Sequence, residues 1–153
     1  MEHLFQMTAE IDNTDAKVLE ALKENGRATV REISKELRIP ITTAHNRLKK
    51  LIKYKIIKKF TIEPDFEKLG KGVLAIVFTS LNHEKLENDL SGLKKKLHGF
   101  EEVVKVYVVT GEIDLILIVR VANIKELDAL LTRKLRNIKG ILKTTTQIVM
   151  EEE

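Results

Sequence analysis

A chain of 153 residues, 43% apolar and 33% charged, has enough apolar content for one ordinary core or two small ones. No apolar run nears the roughly 20 residues of a membrane span. Met1 to Glu10 also lacks the basic start and long apolar stretch of a secretory leader, so a cytoplasmic protein without membrane attachment is expected. The absence of cysteine excludes disulfides, thiolate metal sites and cysteine nucleophiles, while His3, His45, His83 and His98 stand apart without metal-ligand spacing, so neither a metal nor a cofactor is expected.

The net charge of +4 is unevenly spread. Residues 1–64 hold 13 Lys and Arg against 9 Asp and Glu, whereas residues 65–153 hold 14 against 14. Between Glu36 and Glu63 no acid occurs, yet Arg38, Arg47, Lys49, Lys50, Lys53, Lys55, Lys58 and Lys59 all fall there. A solvated helix face usually interleaves both signs; a stretch this one-sided suits a polyanion.

Asp12 is placed to cap a first helix over 12–25, with Asp15 near its positive end, Val18, Leu19 and Leu22 on one face, and Asn25-Gly26 as the stop. Thr29 and Glu32 form a capping box ahead of a short second helix with the stripe Val30, Ile33 and Leu37. Pro40 pushes Ile39 out of the helical region, so a third helix starts near Pro40 or Ile41. There Ile41, Ala44, Leu48, Leu51 and Ile52 are expected on the apolar face, opposite Thr42, Thr43, Asn46, Lys49, Lys50 and Lys53. Ile56 to Ile62 reads as an extended wing, and Pro64, Asp65 and Leu69-Gly70 as a hinge over 64–70.

Beyond the hinge, the pattern predicts a strand over 73–81, a helix over 84–97, strands over 103–110 and 113–121 joined at Gly111, a helix over 124–137 and a strand over 141–150. This βαββαβ order defines an α+β chain: a winged helix-turn-helix over 1–63, then a ferredoxin-like sandwich over 71–153. Leu74 to Phe78 and Leu115 to Val119 do not alternate apolar with polar residues, which predicts sheet faces buried on both sides. With no second helical layer in the chain, a second copy packed sheet to sheet is the expected cover.

Two short helices joined by a tight turn, the second presenting Thr, Thr, Asn and Lys, meet the needs of major-groove reading: donors and acceptors for base edges, cations for phosphates. The expected DNA-binding residues are therefore Arg38, Thr42, Thr43, Asn46, Arg47, Lys49, Lys50 and Lys53, with Asn46 suited to adenine and Lys50 to guanine or a phosphate. Double-stranded DNA is the expected partner.

The sequence resembles the Lrp/AsnC (feast/famine) family of regulators from Ile11 to Glu152. The resemblance is carried by Ile11-Asp12-Asn13-Thr14-Asp15, Asn25-Gly26-Arg27, Glu32-Ile33-Ser34, Arg47-Leu48-Lys49-Lys50-Leu51, Pro64 with Leu69-Gly70, Glu102-Val103, Thr110-Gly111-Glu112-Ile113-Asp114-Leu115, and Thr144-Thr145-Thr146. It implies dimers formed through the sheets, often four dimers in an octamer, and a small-molecule effector, an amino acid or related metabolite, bound between dimers. The chain departs from the family pattern at Arg38, Pro40 and Lys55, where Gly, a capping Ser and Gly are common. A non-Gly residue at positive φ costs on the order of 1 kcal/mol, so a reshaped turn at Arg38 is expected.

By spacing alone, Thr110 to Asp114 is a hairpin turn that needs Gly111, with Asp114 bonding nearby backbone. The resemblance instead implies an effector site at Thr110, Gly111, Glu112 and Asp114, joined by Thr144 and Thr146 from one side of the last strand, with acids suited to a cationic or zwitterionic ligand. The two-part architecture also resembles that of sirohaem decarboxylases, but their cleft needs clustered His and Arg, and here Arg120, Arg133 and Arg136 are the only arginines of the second half. A metabolite sensor acting on protein partners is a further alternative, and single-stranded RNA binding is disfavoured because aromatic stacking strands are missing. A regulator, not an enzyme, is the expected function.

Overall fold

The computed structural model describes residues 10–86 and 89–152, and the chain divides into two units, Met1–Glu63 and Pro64–Glu153. In the first, α1 (Asn13–Glu24) starts at a reciprocal capping box: Asp15 N–H donates to the Asp12 carboxylate at 2.9 Å, and Asp12 N–H to that of Asp15 at 3.2 Å. In α2 (Val30–Leu37), Thr29 and Glu32 repeat the device, with Thr29 N–H donating to Glu32 at 2.7 Å. Together with α3 (Ile41–Lys53), these helices bury Val18, Ile33, Ala44 and Leu51 completely.

The turn between α2 and α3 is not reshaped. Arg38 takes the left-handed conformation itself, at φ 53° and ψ 43°, and Lys55 does so at φ 56°. The strain is held by bonds on either side: Ile39 N–H donates to Ser34 O at 3.0 Å, and Ser34 Oγ donates to Ile39 O at 2.6 Å.

The apolar face expected for α3 is rotated. Ala44 and Leu51 are buried, but Ile41 and Ile52 are 50% and 46% exposed. The buried arc centres on Ala44, Leu51 and the Arg47 flank, because α1 presents buried carboxylate chemistry there, so apolarity alone misplaces its centre. The extended wing is also corrected, since none of the described residues between Lys53 and Val73 forms a strand. Ile56 and Ile57 both donate their N–H to Leu51 O, at 2.9 and 3.1 Å, and pack on the helical core, so these amides close the helix end and cannot enter a ladder.

In the second unit, Asp65 starts a turn by accepting Lys68 N–H at 3.0 Å, and Gly70 closes it at φ 71°. Within the segment expected as a hinge, the Phe66 ring lies 4.6 Å from the Arg120 guanidinium. The strands β1 (Val73–Leu81), β2 (Val103–Val108), β3 (Leu115–Val121) and β4 (Ile141–Ile148) form an antiparallel sheet in the order β2-β3-β1-β4. This is the ferredoxin-like order.

The helix expected over 84–97 is interrupted. A short α4 (His83–Leu86) and α5 (Leu90–His98) flank Asp89, which leaves helical geometry and caps α5 by accepting Gly92 N–H at 2.8 Å; positions 87 and 88 lie outside the described residues. The last helix begins as α6 (Ile124–Ala129) and widens into a π-helical turn over Leu130–Leu135, whose spacing turns both leucines, fully buried, into the core. With Leu93, Leu97 and Leu127 they cover Ala75, Val77, Leu115, Leu117 and Val119.

Among the described residues of the second unit, the helices cover this side of the sheet. β1 alternates after all: Ala75, Val77, Thr79 and Leu81 are buried, whereas Leu74, Ile76 and Phe78 on the other side are half-buried. The expected double burial rested on the lack of apolar–polar alternation, and that pattern stands: both sides of β1 are apolar, one buried under the helices and the other half-buried in the single chain.

Candidate nucleic-acid interface and effector loop

At about 100° per residue, the solvent side of α3 is an arc carrying Thr42, Asn46, Lys49 and Lys53, all exposed, with His45 beside them. Thr43 is half-buried on the flank. Pro40 supplies no side-chain cap, so the first-turn amides of α3 are left to solvent or a ligand. Arg38 and Lys55 are exposed at either end of the helix, where their left-handed turns project them outward.

Arg47 and Lys50 are placed differently. Lys50 Nζ donates to Asp15 Oδ2 at 2.6 Å and to Glu10 O at 2.6 Å. Arg47 NH1 pairs with Asp12 at 2.6 Å and lies 3.4 Å from Asp15 Oδ1. The Asp15 side chain is fully buried. Burial pushes its carboxyl upward, but the Lys50 ammonium, the Asp12 amide and the Arg47 charge outweigh that and hold it below the usual carboxylate range. Of the expected DNA-binding set, the structure thus brings Thr42, Asn46, Lys49 and Lys53 to the solvent arc and turns Arg47 and Lys50 towards α1. His45 and Ile52 were not expected on that surface, where they line an apolar cavity with Leu48, and Ile41 is exposed as well; a stripe centred on Ala44 and Leu51 alone leaves all three outside the core.

In the second unit, Gly111 holds φ 120° in the loop between β2 and β3, with open space where a Cβ would stand; backbone conformation, not crowding, demands glycine there. Asp114 Oδ2 accepts Leu81 N–H at 2.7 Å, at the point where the β1–β4 register shifts between Ser80 and Leu81. Asp114 N–H donates to Thr79 O at 3.0 Å, and Ser80 Oγ donates to Glu112 O at 3.0 Å. The loop is therefore tied to the end of β1.

The six expected effector residues do not converge. Thr144 pairs with Thr79 and Thr146 with Val77, so both half-buried threonines share the helix-covered side of the sheet. Thr145 lies on the opposite side and joins Phe78, Ser80, Glu112, Ile113 and Lys143 around a cavity of about 210 Å³. Thr110, Gly111 and Glu112 are exposed, and Asp114 is half-buried. Lys143 and Thr145 were not among the expected residues; strand alternation separates them from Thr144 and Thr146, but which of the two sides the helices cover is decided by tertiary packing. Among the described residues no cluster of His, Cys, Asp and Glu is arranged to hold a metal ion, and no helix is long and apolar enough to cross a membrane.

Comparison with known proteins matches this two-part organisation. Residues 11–58 match the winged helix-turn-helix DNA-binding family, and residues 75–153 match the Lrp/AsnC ligand binding domain. An HTH-type transcriptional regulator of Pyrococcus furiosus is 39% identical over 90% of this chain and 91% of its own length. The HTH-type transcriptional regulator FL11 of Pyrococcus horikoshii is 34% identical over 95% of this chain and 93% of its own. The structure of AsnC from E. coli superposes with a TM-score of 0.80 at 30% identity, covering 93% of each chain. The exposed polar arc of α3, the βαββαβ sheet and these matches lead to one conclusion: the chain belongs to the Lrp/AsnC family and is a DNA-binding transcriptional regulator with that family's ligand-binding domain.

Proposed function

We propose that α3 enters the major groove through Thr42, Asn46, Lys49 and Lys53, with Thr43 at the flank and Arg38 and Lys55 on the bordering phosphates. The observation that carries this reading is the exposed polar and cationic arc of α3 backed by the buried Ala44 and Leu51. Asn46 offers an adenine its bidentate donor and acceptor, and Lys49 and Lys53 supply sequence-independent charge.

A small amino acid or related metabolite is the proposed effector, acting at the Thr110–Asp114 loop, with Glu112 and Lys143 providing charges of both signs for a zwitterion. The half-buried apolar side of the sheet, Leu74, Ile76, Phe78, Ile116 and Ile118, is proposed to pair with a second copy, and dimers to assemble further, up to the octamer common in the family. The proposed setting is the cytoplasm, and the proposed role is regulatory without catalysis. The deciding experiment is selection of bound sequences from random duplex DNA, repeated with each amino acid present. Enrichment of a palindromic motif that one amino acid shifts is expected; no enrichment overturns the DNA docking, and a motif insensitive to every amino acid overturns the effector class.

A further inference from the structure

The basic residues of α3 fall into two groups that the sequence does not separate. Lys49 and Lys53 are exposed on the arc with Thr42 and Asn46. Arg47 and Lys50 are half-buried on the flank facing α1, where Asp12 and Asp15 receive them. Asp15 is the centre of that group: its carboxylate, fully buried, accepts the Asp12 amide, the Lys50 ammonium and the Arg47 guanidinium.

We propose that Asp15 is a positioning residue that decides which cations of α3 a duplex meets: by holding Arg47 and Lys50 against α1, it leaves Lys49 and Lys53 as the phosphate-binding pair and limits affinity for DNA of arbitrary sequence. The competition favours the protein's own carboxylate. A phosphate on a duplex is exposed, hydrated and screened by salt, whereas Asp15 is removed from water and its charge is compensated by these partners. Withdrawing Lys50 to pair with DNA would strand a buried charge and break the Glu10 bond in addition. Arg47 is held twice over, by Asp12 as well as Asp15. The result serves specificity: every cation withheld removes a contact that all sequences share equally, while the base-reading side chains Thr42 and Asn46 are untouched.

The proposal rests on α3 docking in the groove, and the salt dependence of DNA binding tests the two ideas separately. Titrations of the full chain against a random-sequence duplex over a salt series give the slope of log affinity against log salt, to which each phosphate contact adds about 0.9 per bound unit. Lys49→Ala and Lys53→Ala are each expected to flatten the slope by about one contact. Lys50→Gln and Arg47→Gln, which keep a donor for Asp15 but remove the charge, are expected to leave it unchanged. Asp15→Asn is expected to steepen the slope and to raise affinity for random duplex, a gain that mere loss of structure does not produce. A wild-type chain with no salt-dependent binding overturns the docking itself. A wild type that binds, with Lys50→Gln or Arg47→Gln flattening the slope as much as Lys49→Ala, overturns the role of Asp15, and does so even if Asp15→Asn fails to fold.

Discussion

The Asp114 carboxylate accepts the backbone N–H of Leu81 at 2.7 Å, and so satisfies a donor at the irregularity where β1 and β4 change register. A side chain expected to meet an effector therefore has a structural task. Leu81 is nearly buried, and an amide left without a partner there carries the desolvation penalty of an unmade bond. Asp114→Ala is expected to lower the stability of the second unit by about 1 to 3 kcal/mol, read from the urea midpoint of the full chain. An unchanged midpoint would show the bond to be dispensable.

Effector binding is expected to follow Glu112 and Lys143 more than Thr144 and Thr146, because the first two line one cavity while the threonines share the helix-covered side of the sheet. Calorimetry with the twenty amino acids on wild type, Glu112→Ala and Thr144→Ala checks this. Loss of binding in Thr144→Ala alone would move the site to the other side of β4. If an effector shifts DNA affinity, DNA shifts effector affinity by the same factor.

Asn46→Ala is expected to relax base preference at one operator position by about 1 to 3 kcal/mol without a fall in stability, since the side chain is exposed on the solvent arc of α3. The check is affinity for the selected duplex and its single-base variants. Undiminished discrimination at every position would place base reading elsewhere on the helix.

Arg38→Gly is expected to stabilise the first unit by up to about 1 kcal/mol, because φ 53° is strained for arginine and free for glycine. The same change is expected to weaken binding to all duplexes alike by removing a cation next to the groove. Thermal unfolding and a salt series separate the two effects, and a destabilised variant would mean that the Arg38 side chain contributes more than its backbone costs.

Acid is expected to destabilise the first unit through Asp15. Its folded pKa lies below the ordinary value of about 3.9, so the ion-paired carboxylate contributes stability above that value, and the contribution fades as pH falls through the depressed folded pKa. Unfolding followed from pH 7 to pH 2 should show the loss only at the acid end. Asp15→Asn is expected to flatten that limb, and an unaltered acid limb in the variant would assign the transition to other carboxylates.

Ile118→Lys is expected to yield monomers in sedimentation, because Ile118 pairs with Ile76 on the half-buried side of the sheet, opposite the side that the helices of the second unit cover. A variant that remains dimeric would place the interface elsewhere.

Local signals in the sequence were sufficient for most of the architecture. The cap at Asp12, the capping box at Thr29, the break at Pro40 and the period of the apolar residues depend on neighbours within a turn, so the helix starts and the βαββαβ order were legible. Arg38 in a glycine position was legible as strain, but its outcome was not, since the bonds from Ile39 and Ser34 that hold the turn form only in the folded chain. Tertiary structure alone decided the division of the α3 cations: Lys49 and Lys50 are adjacent and chemically alike, yet one is exposed and the other is bonded to a carboxylate 35 residues earlier. It also decided which threonines of β4 lie beside the Gly111 loop, because strand side chains alternate with a period of two and a register shift of one residue exchanges the two sides. Sequence determines what each residue can offer; packing across the chain determines to which partner it is offered.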